Sequence, residues 1–183
     1  YVYGEKPEMP LNEDDLTHPI NNYGKTKLSG DIACGIMNPD SIIIRTSWLY
    51  SSFGNNFVKK MINLMQNKKK LNVINDQIGS PTYAADLAQV ILYIIYNNNW
   101  HPGIYNYTNK GKISWYDLAN DIKEFLGFNT NINAVTTKEY STKVKRPKYS
   151  LLNKTKIKKT YNIKIIPYKD SLKKCIKILK NDK

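Results

Sequence analysis

The chain has 183 residues, within the roughly 100–200 expected of one domain, and its 41% hydrophobic and 11% aromatic content excludes a wholly disordered polypeptide. Its net charge of +13 is a lysine charge, because only Arg45 and Arg146 of the 28 basic residues are arginine, and scarcity of the usual base-edge and phosphate fork weighs against nucleic acid as the partner. Two cysteines, Cys34 and Cys175, without metal-ligand spacing exclude a disulfide scaffold or zinc ribbon and fit a reducing, cytoplasmic compartment, while the absence of any apolar run near ~18 residues excludes a helical membrane span.

Tyr1-Val2-Tyr3 reads as the end of a strand and Gly4 as the opening of a loop, so the sequence reads as a piece beginning in mid-strand; no signal-peptide layout is visible. Residues 4–22, polar and acidic at Glu13, Asp14 and Asp15, form a loop. From Tyr23 to about Met37 the pattern predicts a helix, with Leu28, Ile32 and Ile36 four apart. Ser41–Ser47 holds Ile42-Ile43-Ile44 and predicts a buried, parallel strand. Asn55 to about Asn67 predicts a helix with Phe57, Met61, Leu64 and Met65 on one face, and Leu71–Ile74 a short strand. Residues 77–82 predict a loop, since Gly-Ser-Pro continues neither periodic structure.

Tyr83 to about Asn98 predicts a long helix, apolar on most sides and hence well buried. Gly103–Tyr107 and Ile132–Val135 are strand candidates. Between them Ser114 is a natural cap for a helix over Trp115–Leu126, closed by Gly127. Residues 136–150 are irregular, and Pro167 opens a last helix to about Lys180 with Leu172, Cys175, Ile176 and Leu179 inward. The alternation of strands and helices makes the class α/β with at least part of a parallel sheet.

Tyr23-Gly24-Lys25-Thr26-Lys27 carries the sharpest chemical signal. Tyr23 and Lys27 lie four apart at a helix start, on one face. An unperturbed phenol, with a pKa of about 10, gives up its proton poorly at neutral pH, and a nearby ammonium favours the phenolate. Such a tyrosine can act as general acid toward a carbonyl oxygen while hydride reaches the carbon. Alone the spacing is weakly specific, since most such pairs are an exposed aromatic beside a solvated lysine. This helix, however, leads straight into the strand ending Arg45-Thr46-Ser47-Trp48, and open α/β sheets bind ligands beyond the carboxyl ends of strands. Arg45 and Trp48 are therefore placed either for a ligand or for the blander roles of ion pair and core cap.

Y-V-Y-G, P-L-N-E-D-D, P-I-N-N-Y-G-K-T-K-L-S-G-D, R-T-S-W-L-Y, G-N-N-F-V-K-K-M, D-Q-I-G-S-P-T-Y-A-A-D-L-A and K-R-P-K-Y-S-L-L follow one another from Tyr1 toward the last helix. Together they resemble the dTDP-4-dehydrorhamnose reductase family of the extended short-chain dehydrogenase/reductase superfamily. The resemblance implies the C-terminal part of a Rossmann-like parallel sheet with a smaller α/β substrate-binding region. Residues 1–50 would close the dinucleotide-binding domain and carry the Tyr/Lys helix, and residues 51–183 would be mainly the nucleotide-sugar region, with some segments returning to the Rossmann domain. The implied reaction is hydride transfer from NADPH or NADH to the 4-keto group of dTDP-4-dehydro-L-rhamnose, giving dTDP-L-rhamnose.

Residue by residue, the resemblance makes Tyr23 the proton donor and Lys27 both its partner and a ligand of the nicotinamide ribose. Arg45, Thr46 and Ser47 would border the nicotinamide. Tyr1 and Trp48 would lie against the sugar, and Asn56, Phe57, Gln77, Gly79, Ser80, Pro81 and Thr82 would take the nucleotide-sugar side. Arg146 would face the nucleotide or make a structural ion pair. The resemblance also implies a homodimer and a magnesium ion, for which no ligands can be placed. The chain departs from the family pattern in having no G-x-x-G-x-x-G turn, and the family's catalytic threonine would precede Tyr1. Y-V-Y-G is also one residue shorter than the family's Y-V-F-D-G. The chain by itself is therefore expected to be inactive. Competing readings are a non-catalytic relative of the type that regulates methionine adenosyltransferase, disfavoured by the retained Tyr23/Lys27 pair, and a lysine-rich nucleic-acid-binding fragment.

Overall fold

The computed structural model describes residues 1–5, 9–140 and 144–181. α1 (Asn22–Met37) begins where the extended Asn21 turns its side chain to accept the Gly24 amide at 2.7 Å. The β-branched run follows as β1 (Ile42–Arg45), then β2 (Leu49–Tyr50). Asn56 caps α2 (Phe57–Asn67), and β3 (Lys70–Ile74), β4 (Ile78–Gly79), β5 (Thr82–Tyr83) and α3 (Ala84–Tyr96) succeed it. After β6 (Gly103–Asn106) and β7 (Ile113–Ser114), α4 (Trp115–Leu126) has the full local signature expected of it. Ser114 and Asp117 form a reciprocal capping box, and Gly127 ends the helix at φ 69°. β8 (Asn131–Val135), α5 (Thr137–Tyr140), α6 (Thr155–Tyr161) and α7 (Tyr168–Asn181) complete the order.

Three pairings are parallel, β1 with β6, β2 with β5 and β3 with β8, while β4 and β7 are antiparallel. The register sets Ile42 opposite Gly103 and Arg45 opposite Asn106. The larger apolar core joins α2, α4 and α7 to β3 and β8 through residues such as Val58, Leu118, Ile122 and Leu172. Each fully buried aliphatic side chain contributes about 1.5–3 kcal/mol of transfer free energy. A second core packs Val90 and Ile94 of α3 and Ile157 and Tyr161 of α6 on Tyr105 and Tyr107, and a small third cluster holds Val2, Tyr3, Leu11 and Leu152. Asn109 is buried and bonded on both sides: its amide donates to Asp86 at 2.6 Å and its carbonyl accepts from Tyr83 N at 2.8 Å, whereas the buried Tyr50 hydroxyl has no partner among the described residues.

The structure corrects several sequence expectations. Residues 77–82 are not a plain loop but contain β4 and the first residue of β5, whose partners β7 and β2 are distant in sequence. Residues 136–150 include α5, and α6 has no clear periodic signal because only Ile157 and Tyr161 of its seven residues are buried. Among the described residues Tyr1–Tyr3 takes part in no strand pairing, and Val2 and Tyr3 are buried in the third cluster. α3 is not buried on most sides, since Ile91, Leu92, Tyr93, Ile95 and Tyr96 are exposed. In α1, Leu28 packs on the third cluster, but Ile32 and Ile36 are exposed. Hydrophobic periodicity identifies these faces as apolar without specifying what covers them.

Candidate active site

The site forms where β1 ends. Thr46 and Ser47 are braced from below: Thr46 Oγ1 donates to Thr82 Oγ1 at 3.1 Å, and Ser47 Oγ to the Ser80 carbonyl at 3.1 Å. The chain then turns through Trp48 at φ 49°, uncommon for a bulky residue, and re-enters strand pairing as β2. The Trp48 indole stacks on Trp115 with centroids 3.6 Å apart and planes 11° apart, and Phe57 lies 4.6 Å from Trp115. Gly79 makes room for this ring, since a Cβ there would sit 2.7 Å from Trp48 Cε2.

A second glycine sets the opposite wall. A Cβ on Gly24 would lie 2.8 Å from the Tyr1 carbonyl oxygen, so glycine lets the start of α1 rest against Tyr1. Tyr1 and Tyr23 thereby meet edge to face at 5.8 Å, and Lys27 Nζ lies 5.8 Å from the Tyr23 ring centre. Burial pushes the Tyr1 phenol above its ordinary range, against the neighbouring Arg146 guanidinium, which lowers it. Tyr23 is 58% exposed, and among the described residues Lys27 has no ion-pair or hydrogen-bond partner.

Two clefts result, sharing Tyr1. One of about 380 Å³ is walled by Tyr1, Tyr23, Lys27, Thr46, Ser47 and Trp48. The other, about 360 Å³, is walled by Tyr1, Phe57, Gln77, Trp115, Tyr140 and Arg146. Both fall in the size range of small-molecule sites. The structure thus brings together Tyr1, Tyr23, Lys27, Arg45, Thr46, Ser47 and Trp48 in one cleft and Tyr1, Phe57, Gln77 and Arg146 in the next.

Other residues expected at the ligand lie outside the walls of these two clefts or are engaged within the chain. Asn56 caps α2, its Oδ1 accepting from Lys59 N at 3.2 Å and its amide donating to the Ser51 carbonyl at 2.7 Å. Ser80, Pro81 and Thr82 are completely buried; Ser80 Oγ donates to the Gly111 carbonyl and Thr82 Oγ1 to the Ser47 carbonyl at 2.7 Å. With Gly79 beneath Trp48, these residues shape the cleft from behind. Arg45 lines the first cleft, yet its guanidinium is held by Asp31, Tyr3 and the Glu13 carbonyl, the ion-pair alternative open at the sequence level. Trp48 combines both of its alternatives, stacked on Trp115 while lining the cleft.

Sequence reading missed Trp115, Tyr140, Tyr3 and Asp31 as site residues. Trp115 opens a well-capped helix, which is a usable signal; the others have none in their local sequence. The expected magnesium ion finds no cradle, because among the described residues no three His, Cys, Asp or Glu side chains are grouped to hold a metal. The nicotinamide end of a dinucleotide does fit: the unpaired Lys27 ammonium stands at the cleft mouth, free to bond a ribose hydroxyl. No helix among the described residues is long and apolar enough to cross a membrane.

The RmlD substrate binding domain model matches residues 1–181. The spore coat polysaccharide biosynthesis protein SpsK of Bacillus subtilis is 44% identical over 153 residues, covering 84% of this chain and 53% of SpsK. A dTDP-4-dehydrorhamnose reductase crystal structure from Clostridium acetobutylicum superposes with a TM-score of 0.93 at 40% identity, over 98% of this chain and 63% of that one. The Bacillus anthracis dTDP-4-dehydrorhamnose reductase, solved in complex with NADP, gives 0.88 at 34% identity, over 96% of this chain and 62% of that one. The chain therefore spans between half and two thirds of the length of these relatives.

Proposed function

The chain belongs to the RmlD substrate binding domain family, and on that premise we propose that it provides the proton donor and the nucleotide-sugar clefts of an NAD(P)H-dependent reductase of dTDP-4-dehydro-L-rhamnose. The observation that carries this reading is the placement of Tyr23 and Lys27 at the mouth of a cleft whose far wall is Thr46–Trp48. With the sugar in that cleft, its 4-keto oxygen reaches the Tyr23 hydroxyl, which donates the proton. Lys27 stabilises the phenolate left behind and can hold a ribose hydroxyl. A bound nicotinamide supplies the hydride. The adjoining cleft suits the nucleotide, with Phe57 and Trp115 offering apolar surface to a base and Arg146 a charge to a phosphate. The reading includes a cytoplasmic homodimer, residues 1–50 as the end of a dinucleotide-binding domain and residues 51–183 as mainly the sugar-nucleotide region.

The test is Tyr23→Phe in the reductase containing this chain, followed by NADPH oxidation with dTDP-4-dehydro-L-rhamnose. Because Tyr23 is exposed, losing its hydroxyl leaves folding intact. Turnover falls roughly a hundredfold or more if a general acid has been removed; near-normal turnover refutes the assignment.

A further inference from the structure

α1 carries Tyr23 and Lys27, yet of its 16 residues only Gly24 is buried. Within this chain a small set of contacts ties it to β1 and its surroundings. Gly24 rests on Tyr1, Leu28 edges the third cluster, and the capping Asn21 donates to the Lys145 carbonyl at 2.8 Å. Tyr23 meets Tyr1 edge to face, and a further contact is made by Asp31, one turn beyond Lys27 on the same face. Its Oδ2 accepts from Arg45 Nε at 2.8 Å, the two side chains being only 18% and 9% exposed.

Arg45 ends β1 and is itself held. Nη1 donates to the Tyr3 hydroxyl at 2.8 Å and to the Glu13 carbonyl at 3.3 Å. Tyr3 OH donates to Asn106 Oδ1 at 3.3 Å, and Asn106 N donates to Glu13 Oε1 at 2.8 Å. Asn106 is the register partner of Arg45 on β6. One connected network therefore ties α1 to β1, β6, the start of the chain and Glu13, beside the strand end that presents Thr46–Trp48.

We propose that Asp31 and Arg45 are positioning residues for the Tyr23/Lys27 pair: their ion pair sets where α1 stands along β1, and so the distance from the Tyr23 hydroxyl to the cleft floor. This rests on the reductase reading. It replaces the expectation that Arg45 contacts the cofactor. A charge-assisted bond between largely sheltered groups holds its geometry better than a solvated surface pair. Its loss matters because misplacing a reacting group by about 1 Å costs on the order of a hundredfold in rate.

The experiment compares Asp31→Asn, Asp31→Glu and Arg45→Lys in the reductase containing this chain, and follows amide hydrogen exchange of the same variants in that enzyme. The expected result for Asp31→Asn is a kcat lower by about tenfold to a hundredfold, with KM for NADPH and sugar nucleotide little changed. Exchange accelerates across residues 25–35 and stays as in the parent in α4 and α7. Asp31→Glu restores most of kcat, and Arg45→Lys, which keeps the charge but loses the fork to Tyr3, falls between. Should Asp31→Asn not fold, the two conservative variants decide. Unchanged kcat, a kcat loss matched by faster exchange throughout the chain, or a raised KM for NADPH at preserved kcat each overturn the proposal, the last by restoring Arg45 to cofactor contact. If the parent enzyme reduces no sugar nucleotide, the reductase reading falls on its own. Selective α1 exchange then still sustains the anchoring by this pair, and unchanged exchange overturns it.

Discussion

Gly79→Ala tests the construction of the cleft at its tightest point. Gly79 has no positive φ, so alanine meets no backbone strain there and the substitution reads space alone. The new Cβ would lie 2.7 and 2.9 Å from Trp48 Cε2 and Cζ2 and 2.8 Å from Ser150 Oγ. Carbon atoms normally rest about 3.5–4.0 Å apart, so roughly 0.6–0.8 Å must be found even at the short end of that range. Trp48 cannot yield freely, being stacked on Trp115 at 3.6 Å, and Ser150 Oγ is engaged with the Ile78 carbonyl. Overpacking of this kind costs about 1–3 kcal/mol. For a chain of this length each kcal/mol moves Tm by about 2–4 °C, so the expected fall is about 2–12 °C. Thermal unfolding by circular dichroism measures it, and the near-ultraviolet spectrum, sensitive to the stacked tryptophan pair, changes in parallel. A variant with parent-like Tm and near-ultraviolet spectrum would show that Gly79 does not support Trp48, and the account of the cleft wall would be wrong.

The helix carrying Tyr23 offers the opposite case: Gly30 lies in mid-helix with nothing within 4 Å of an added Cβ, so Gly30→Ala raises stability by about 0.5–1 kcal/mol, read from the urea midpoint; a loss would mean that face of α1 is covered. Burial pushes the Cys175 thiol up to about 11. The folded form therefore holds its proton more tightly than the unfolded thiol, near 8.5. That stabilisation is complete below about pH 8.5 and is lost as pH rises toward 11, so urea unfolding between pH 8 and 10.5 shows a decline that Cys175→Ala makes shallower. Calorimetry of the 183-residue chain with NADPH shows no tight binding, because no Gly-rich helix start is present to cradle the pyrophosphate; a micromolar dissociation constant would mean that other residues build the cofactor site.

What the sequence by itself determined is whatever short-range physics decides. Ser114, Asp117 and Gly127 mark both ends of α4 because caps and left-handed turns involve groups within a few residues of one another. The run Ile42–Ile44 and the four-residue spacing of Tyr23 and Lys27 follow from local sterics and helix pitch in the same way. The motifs from Tyr1 onward likewise carry the family resemblance in the chain itself. What only the tertiary structure decided is which distant groups meet. Trp48 finds Trp115, Asp31 finds Arg45, and Ser80 and Thr82, which resemble ligand contacts in the sequence, bond to Gly111 and Ser47 and vanish into the interior. α3 is read as buried because apolar residues occur on most of its sides, yet burial depends on a neighbour, and periodicity carries no information about neighbours. Those partners are selected by packing and polar satisfaction over the whole chain, which no local window contains.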